Sequence, residues 1–266
     1  LAALAGVRML LQGGNAVDAA VAAGLAEGVV DPHMGTLGGE VPQLLYVARE
    51  KKVVAINGNT AAPQAATIEE YRRRGLEQIP GGGLLAAGAP GALDAWVLAL
   101  DRYGTMSLAQ VMAPALELAE WGFPLHAGLV ELPVFGIRAN SERFRSSWPT
   151  SARVYLPEGR VPGVGEVLPN SDLARTFRRL LAAEEAALPR QGRSGALQRA
   201  RDVFYLGEIA QTIVQFSQRE GGLLSLEDLA SFRARVEEPV TANYRGYQVY
   251  KVGPWSQGPV FLQQLN

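Results

Sequence analysis

The segment that most constrains this chain is Asn15–Gly28, NAVDAAVAAGLAEG, in which every side chain between Asp18 and Glu27 is small or aliphatic. A helix that is apolar all round has no face to turn toward water and must be buried. Asn15 is suited to cap such a helix, and Asp18 in its first turn favours the positive end of the helix dipole. With such short side chains, the helix is expected to run to about Gly28 and to pack closely on a sheet.

The flanking segments suggest mixed helix and strand. Residues 2–12 carry Leu4, Ala5, Val7 and Leu11 at helical spacing and stop at Gly13-Gly14. Residues 43–47 and 52–57 read as two short strands, the second rich in β-branched residues and ended by Asn57-Gly58, a hairpin-turn signal. Further helices are predicted over 67–74, over 92–103, and from Thr105 or Ser107 to Trp121 with a kink or break at Pro114. The stretch 156–169, with its prolines and glycines, reads as a surface loop, and 172–188 as an amphipathic helix. Arg190, Arg193, Arg199 and Arg201, gathered around Gly192 and Gly195, read as a solvated loop. Ser225 and Asp228 form a capping-box-like helix start, and 247–251 alternates like a strand. Gly258-Pro259 opens a helix that Asn266 leaves unfinished, so part of the fold is expected to come from outside the chain. No repeat or composition shift marks a boundary, and the expectation is an α/β or α+β protein with residues 1–266 in one domain.

Composition narrows the function classes. A hydrophobic content of 48% over 266 residues supports a sizeable core, and a net charge of −1 gives no reason to expect nucleic acid or an anionic membrane as partner. No apolar run reaches the length of a membrane span. The lack of cysteine excludes disulfides and thiol chemistry and assigns no compartment: periplasmic, secreted and cytoplasmic locations all stay open. Two histidines, His33 and His126, do not by themselves make a zinc site; His33 reads as a structural loop residue, and His126 has no evident partner. No metal and no cofactor is predicted. Gly35, Gly38 and Gly39 fit neither Walker nor Rossmann spacing, and no Gly-x-Ser-x-Gly or His-Glu-x-x-His motif is present. Trp148, Tyr250 and Trp255 read as core or interface aromatics.

Four stretches, in order, carry a resemblance: GGNAVDAAVAAGLAEGVVDPHMGTLGGEVPQLLY (13–46), APGALDAWVLALDRYGTMSLAQVMAPALELAEWGFPL (89–125), FYLGEIAQTIVQFSQREGGLLSLEDL (204–229) and YRGYQVYKVGPWSQGPVFLQQLN (244–266). Together they cover a little under half the chain, which resembles the large subunit of gamma-glutamyltranspeptidases, members of the N-terminal nucleophile hydrolases. The resemblance implies an α+β fold, a four-layer αββα sandwich completed by a small subunit. It also implies a precursor that cuts itself, exposing on the small subunit an N-terminal threonine whose hydroxyl attacks an amide carbonyl with its own α-amino group as base. The partner is then that small subunit, in a heterodimer, and the substrate a small-molecule amide. No catalytic residue is expected within this chain.

The family's large subunit contributes an arginine, in an Arg-Glu-x-Ala-Pro motif after the second strand, whose forked guanidinium holds the substrate's α-carboxylate. Here Ala62-Pro63 anchors the match and places Asn59 at the arginine position and Thr60 beside it, while Ala61 occupies the alternative position two residues before the proline. Asn59 and Thr60 are the candidate substrate-binding residues, and Asn59 also reads as a turn residue after Asn57-Gly58. Losing a charge-assisted bidentate contact costs on the order of 100-fold in binding. Glu40 interrupts the family's longer glycine run and reads as a partner for local backbone donors or for an arginine. An amidase with altered acyl specificity is therefore expected; the alternative is a non-catalytic family member that binds or interacts.

Overall fold

Asn15 caps the apolar helix as its chemistry dictates: its side chain accepts from the backbone of Val17 and Asp18, and Asp18 Oδ2 accepts from Asn15 N at 2.8 Å, closing a reciprocal capping box. The helix spans Ala16–Val30 in a computed structural model that describes residues 1–265. Asn266, where the sequence reading ended, lies outside the described residues. Asp18 is fully buried, and its Oδ1 accepts from Met106 N at 3.0 Å, so one carboxylate both caps the helix and ties down the chain entering the helix Leu108–Trp121.

The small side chains of Ala16–Val30 serve helix packing, where a sheet was expected. In its unit this helix lies against Ala2–Leu11 and Leu108–Trp121. A Cβ added at Gly6 would stand 3.0 Å from the Ala19 carbonyl oxygen, so the backbones approach too closely for larger residues. Pro114, where a kink or break was predicted, sits buried inside an unbroken helix Leu108–Trp121 that ends at Gly122 with φ 77°. The two histidines also acquire places. His126 Nδ1 accepts from Leu129 N at 3.1 Å, capping the helix Ala127–Glu131, while its Nε2 faces the Val30 carbonyl at 3.1 Å. His33 Nδ1 lies 3.1 Å from the Asp31 carboxylate.

The chain forms two units, one of residues 1–36 and 106–181, the other of residues 37–105 and 182–266. Strands occur in both: β1 (Gln43–Val47), β2 (Lys52–Asn57), β3 (Phe123–Pro124), β4 (Val167–Leu168), β5 (Arg235–Glu237), β6 (Val240–Tyr244) and β7 (Tyr247–Lys251). The first unit is otherwise helical, with β3 and β4 as a short antiparallel pair. The second holds an antiparallel sheet in the order β1-β2-β5 and the separate hairpin β6-β7. Val54, Ala55 and Ile56 of β2 are buried, which makes β2 the core strand of this sheet.

The boundaries of β1 and β2 match the expected ones, but their turn is Ala48–Lys51, with Lys51 at φ 50°. Asn57-Gly58 makes no hairpin. Gly58 is required by space: a Cβ there would lie 2.5 Å from both the Val41 carbonyl oxygen and the Ala95 Cβ. The predicted loop around Gly192 is likewise overturned. A helix runs Ser171–Tyr205, interrupted by Gly192 in the left-handed region at φ 65°, so one glycine supplies a kink between two helical stretches. Among the described residues no helix is long and apolar enough to cross a membrane, and no group of three acidic, histidine or cysteine side chains could hold a metal ion.

Candidate functional site

Strand pairing gathers polar side chains on one face. β5 runs antiparallel to β2 with Asn57 opposite Arg235 and Ala55 opposite Glu237. Paired residues share a face and alternate residues return to it, so Asn57, Arg235 and Glu237 stand on one side while Ile56 and Val236 take the other. The chain leaving β2, residues 57–62, borders the same space. Asn57, Asn59, Thr60, Arg235 and Glu237, together with Gln64, Asp228, Arg233 and Trp255, line an open cavity of about 370 Å³ within the second unit. That volume suits a small molecule or one end of a larger one.

Asn59 and Thr60 both line this cavity. Asn59 is also part of its framework: its Nδ2 donates to the Trp255 carbonyl at 3.0 Å, and its backbone N donates to Asn57 Oδ1 at 3.1 Å. Glu40 does not line the cavity; its carboxylate lies 3.5 Å from Thr60 N, facing a local backbone donor. Trp255, read as a core or interface aromatic, is a half-buried wall residue whose indole Nε1 donates to Glu237 Oε2 at 2.7 Å. Glu237 Oε1 accepts from Asn57 Nδ2 at 3.1 Å. Glu237 thus clamps β2 and the Trp255 segment together from β5.

Glycines set the position of the 57–62 segment. A Cβ on Gly91, the N-cap of the helix Ala92–Tyr103, would stand 2.3 Å from the Gly58 carbonyl oxygen and 3.0 Å from that of Asn59. Gly39 O accepts from both Gly91 N and Ala92 N, at 2.9 and 3.0 Å. Ala61 pairs with Ala89 in an isolated bridge, with Ala89 N donating at 2.8 Å. The 57–62 loop is therefore pressed against the start of a helix by close backbone contacts and by the Ala95 side chain.

Beneath the β5 side of the cavity lies a buried charge pair. Arg201, 1% exposed, donates through Nε to Asp94 Oδ1 and through Nη2 to the Phe232 carbonyl at 2.6 Å. Asp94 Oδ2 accepts from Ala234 N at 2.5 Å. The Tyr205 hydroxyl donates to the Pro90 carbonyl at 2.7 Å and accepts from Asp94 N, while its ring stacks on Phe232 and under the Arg201 guanidinium. Burial, and then the neighbouring Asp94 charge, push the Tyr205 phenol well above its ordinary pKa, so it stays protonated and can donate. The pair fixes residues 232–234, the run that leads into β5. Arg201 was expected in a solvated loop; its charge is buried because an aspartate more than a hundred residues earlier meets it.

The sequence reading missed Arg233, Arg235 and Glu237. Their signal was the alternation Arg-Ala-Arg-Val-Glu directly after the capped helix Leu226–Ser231, the pattern of a strand with one polar face.

Known proteins share both sequence and fold. The family described as Gamma-glutamyltranspeptidase matches residues 2–266. The chain is 35% identical over 267 residues to the Glutathione hydrolase-like YwrD proenzyme of Bacillus subtilis, covering 100% of this chain and 46% of that protein. Its fold matches the solved structure of LmbA2991HD with a TM-score of 0.91 at 40% identity, and cephalosporin acylase from Bacillus halodurans with 0.86 at 33% identity; each match covers 99% of this chain and 46% of the other. The chain thus spans a little under half the length of these relatives. It belongs to the gamma-glutamyltranspeptidase family of hydrolases and transferases and has the α+β fold of its N-terminal nucleophile hydrolases.

Proposed function

We propose that this chain is the large-subunit part of a self-cleaving amide hydrolase or acyltransferase and that the cavity bordered by Asn59 and Thr60 receives the acyl group of the substrate. The observation that carries the reading is placement. The two residues aligned with the family's Arg-Glu pair line a polar recess of about 370 Å³, a size that suits a small molecule, and they are held there by Gly58, Gly91 and Trp255. The nucleophile in this reading is a threonine at the N-terminus of a small subunit from the same precursor, with which the chain forms a heterodimer. Its hydroxyl attacks the amide carbonyl, its α-amino group takes the proton, the amine leaves, and water or a second amine resolves the acyl-enzyme. The proenzyme name of the YwrD relative is in keeping with such processing.

The acyl group is other than γ-glutamyl. Asn59 has no charge, and one of its amide hydrogens is already given to Trp255, so it cannot replace a five-donor guanidinium at an α-carboxylate. A small acid amide or a β-lactam side chain fits this change, and a cephalosporin acylase among the structural relatives supports it. Steady-state assay of the complete two-subunit protein tests the reading. Turnover of acyl anilides that lack the γ-glutamyl headgroup, with kcat/KM for the γ-glutamyl anilide on the order of 100-fold lower, is expected. Turnover of γ-glutamyl anilide at the rates of true transpeptidases contradicts it.

A further inference from the structure

A closed ring of hydrogen bonds runs along the cavity wall. Asn59 Nδ2 donates to the Trp255 carbonyl at 3.0 Å, and the indole Nε1 of the same tryptophan donates to Glu237 Oε2 at 2.7 Å. Glu237 Oε1 accepts from Asn57 Nδ2 at 3.1 Å, and Asn57 Oδ1 accepts from Asn59 N, also at 3.1 Å. Each link admits one polarity only. Carbonyl and carboxylate oxygens accept, whereas main-chain and indole N–H groups donate, so neither asparagine carboxamide can turn over without opposing like groups. Glycine keeps the ring open to the indole: a Cβ on Gly253 would stand 2.9 Å from Trp255 Nε1.

The ring fixes what Asn59 has left to offer. One hydrogen of Nδ2 is spent on Trp255, while the other hydrogen and Oδ1 have no partner among the described residues, and Oδ1 is not enclosed. A guanidinium presents five donors and no acceptor, so the wall that holds an arginine in the family's motif here offers an oxygen. Hydrogen-bond polarity at this point of the cavity is therefore changed along with charge.

We infer that Glu237 is a positioning residue which, through Asn57 and Trp255, holds the Asn59 oxygen as an acceptor for the substrate, and that the site selects acyl groups carrying a neutral hydrogen-bond donor there, as a primary carboxamide does. This rests on the cavity being the acyl site. A carboxamide also brings a carbonyl oxygen for the second Asn59 amide hydrogen, so both free atoms of the side chain are matched. Because Glu237 sits on β5 and is bonded to β2 and to the Trp255 segment, the Asn59 group is oriented before the substrate arrives.

The test uses the complete processed protein with glutaramoyl p-nitroanilide and its methyl-ketone analogue, in which methyl replaces the end amino group and removes the donor while keeping shape and carbonyl. The ratio of their kcat/KM values is independent of how much of a variant is folded, so a merely structural role does not move it. The unaltered protein is expected to favour the glutaramoyl substrate by roughly 10-fold. Glu237→Gln, whose amide cannot accept from both Asn57 and Trp255, should bring the ratio to within about 2-fold of unity, as should Asn59→Ala and, by displacing the indole, Gly253→Ala. Glu237→Asp keeps two acceptor oxygens and should retain part of the preference. Glu238→Gln is the control, since that carboxylate pairs with Lys52 at the surface and the ratio should not change. No preference in the unaltered protein, or a full preference in Glu237→Gln and Gly253→Ala, overturns the inference and leaves the amide hydrolase reading intact. If neither anilide is turned over, that reading fails, and binding of glutaramide against its methyl-ketone analogue, followed by NMR, decides alone. Tighter binding of glutaramide that is lost in Glu237→Gln supports the inference; equal binding, or none, overturns it.

Discussion

Replacing Asp94 by alanine is expected to destabilise the protein by about 3–5 kcal/mol, the usual cost of leaving one member of a buried ion pair without its partner. Arg201 is almost wholly enclosed, and the substitution removes the acceptor of both its Nε and the Ala234 amide. The Phe232 carbonyl and Asp202, which also meet the guanidinium, stay in place but supply one neutral acceptor and one half-exposed carboxylate. Replacing both members by apolar residues, Asp94→Leu with Arg201→Met, should cost clearly less than the single change, because no charge is then stranded. Guanidinium unfolding of the full-length protein measures both. If the single variant loses less than about 1 kcal/mol, the pair is not the anchor of the 232–234 segment.

The second large effect is expected at Gly91. Valine there brings a Cβ to 2.3 Å from one backbone oxygen and 3.0 Å from another, and neither can rotate away. The strain is steric: Gly91 sits at φ −102°, where any residue is comfortable. Overpacking of this kind costs about 2–3 kcal/mol. The crowded atoms belong to Gly58 and Asn59, so the cavity wall must shift with them, and substrate KM should rise along with the loss of stability. Gly81→Ala is the control, since nothing lies within 4 Å of the added carbon. Equal behaviour of the two variants would show that the 57–62 loop is not set by this contact.

These two positions show what the sequence makes legible. Local chemistry could be read: the Asn15 cap, the Ser225-Asp228 box, and the bounds of β1 and β2 all follow from residues a few places apart, and of Thr105 and Ser107, either of which could cap the next helix, Ser107 does. Signals that need a distant partner misled. Asn57-Gly58 has the composition of a turn, but its glycine answers to Val41 and Ala95. Gly192 and Gly195 have the composition of a loop, yet the helix resumes and carries Arg201 to Asp94. The small residues of Ala16–Val30 correctly announced close packing without saying against what. At the cavity, the resemblance drew attention to Asn59 and Thr60, which do line it, whereas Arg235 becomes visible only when the β2-β5 register sets it opposite Asn57.

In the proposed function this chain is one part of a precursor that divides itself to expose a threonine. Intact-mass measurement of the freshly purified full-length protein, with N-terminal sequencing of each fragment, tests it most directly. Two fragments are expected without added protease, the smaller beginning with threonine, and a single uncut chain when that threonine is replaced by alanine. A protein that stays in one piece, or is cut ahead of any other residue, contradicts it.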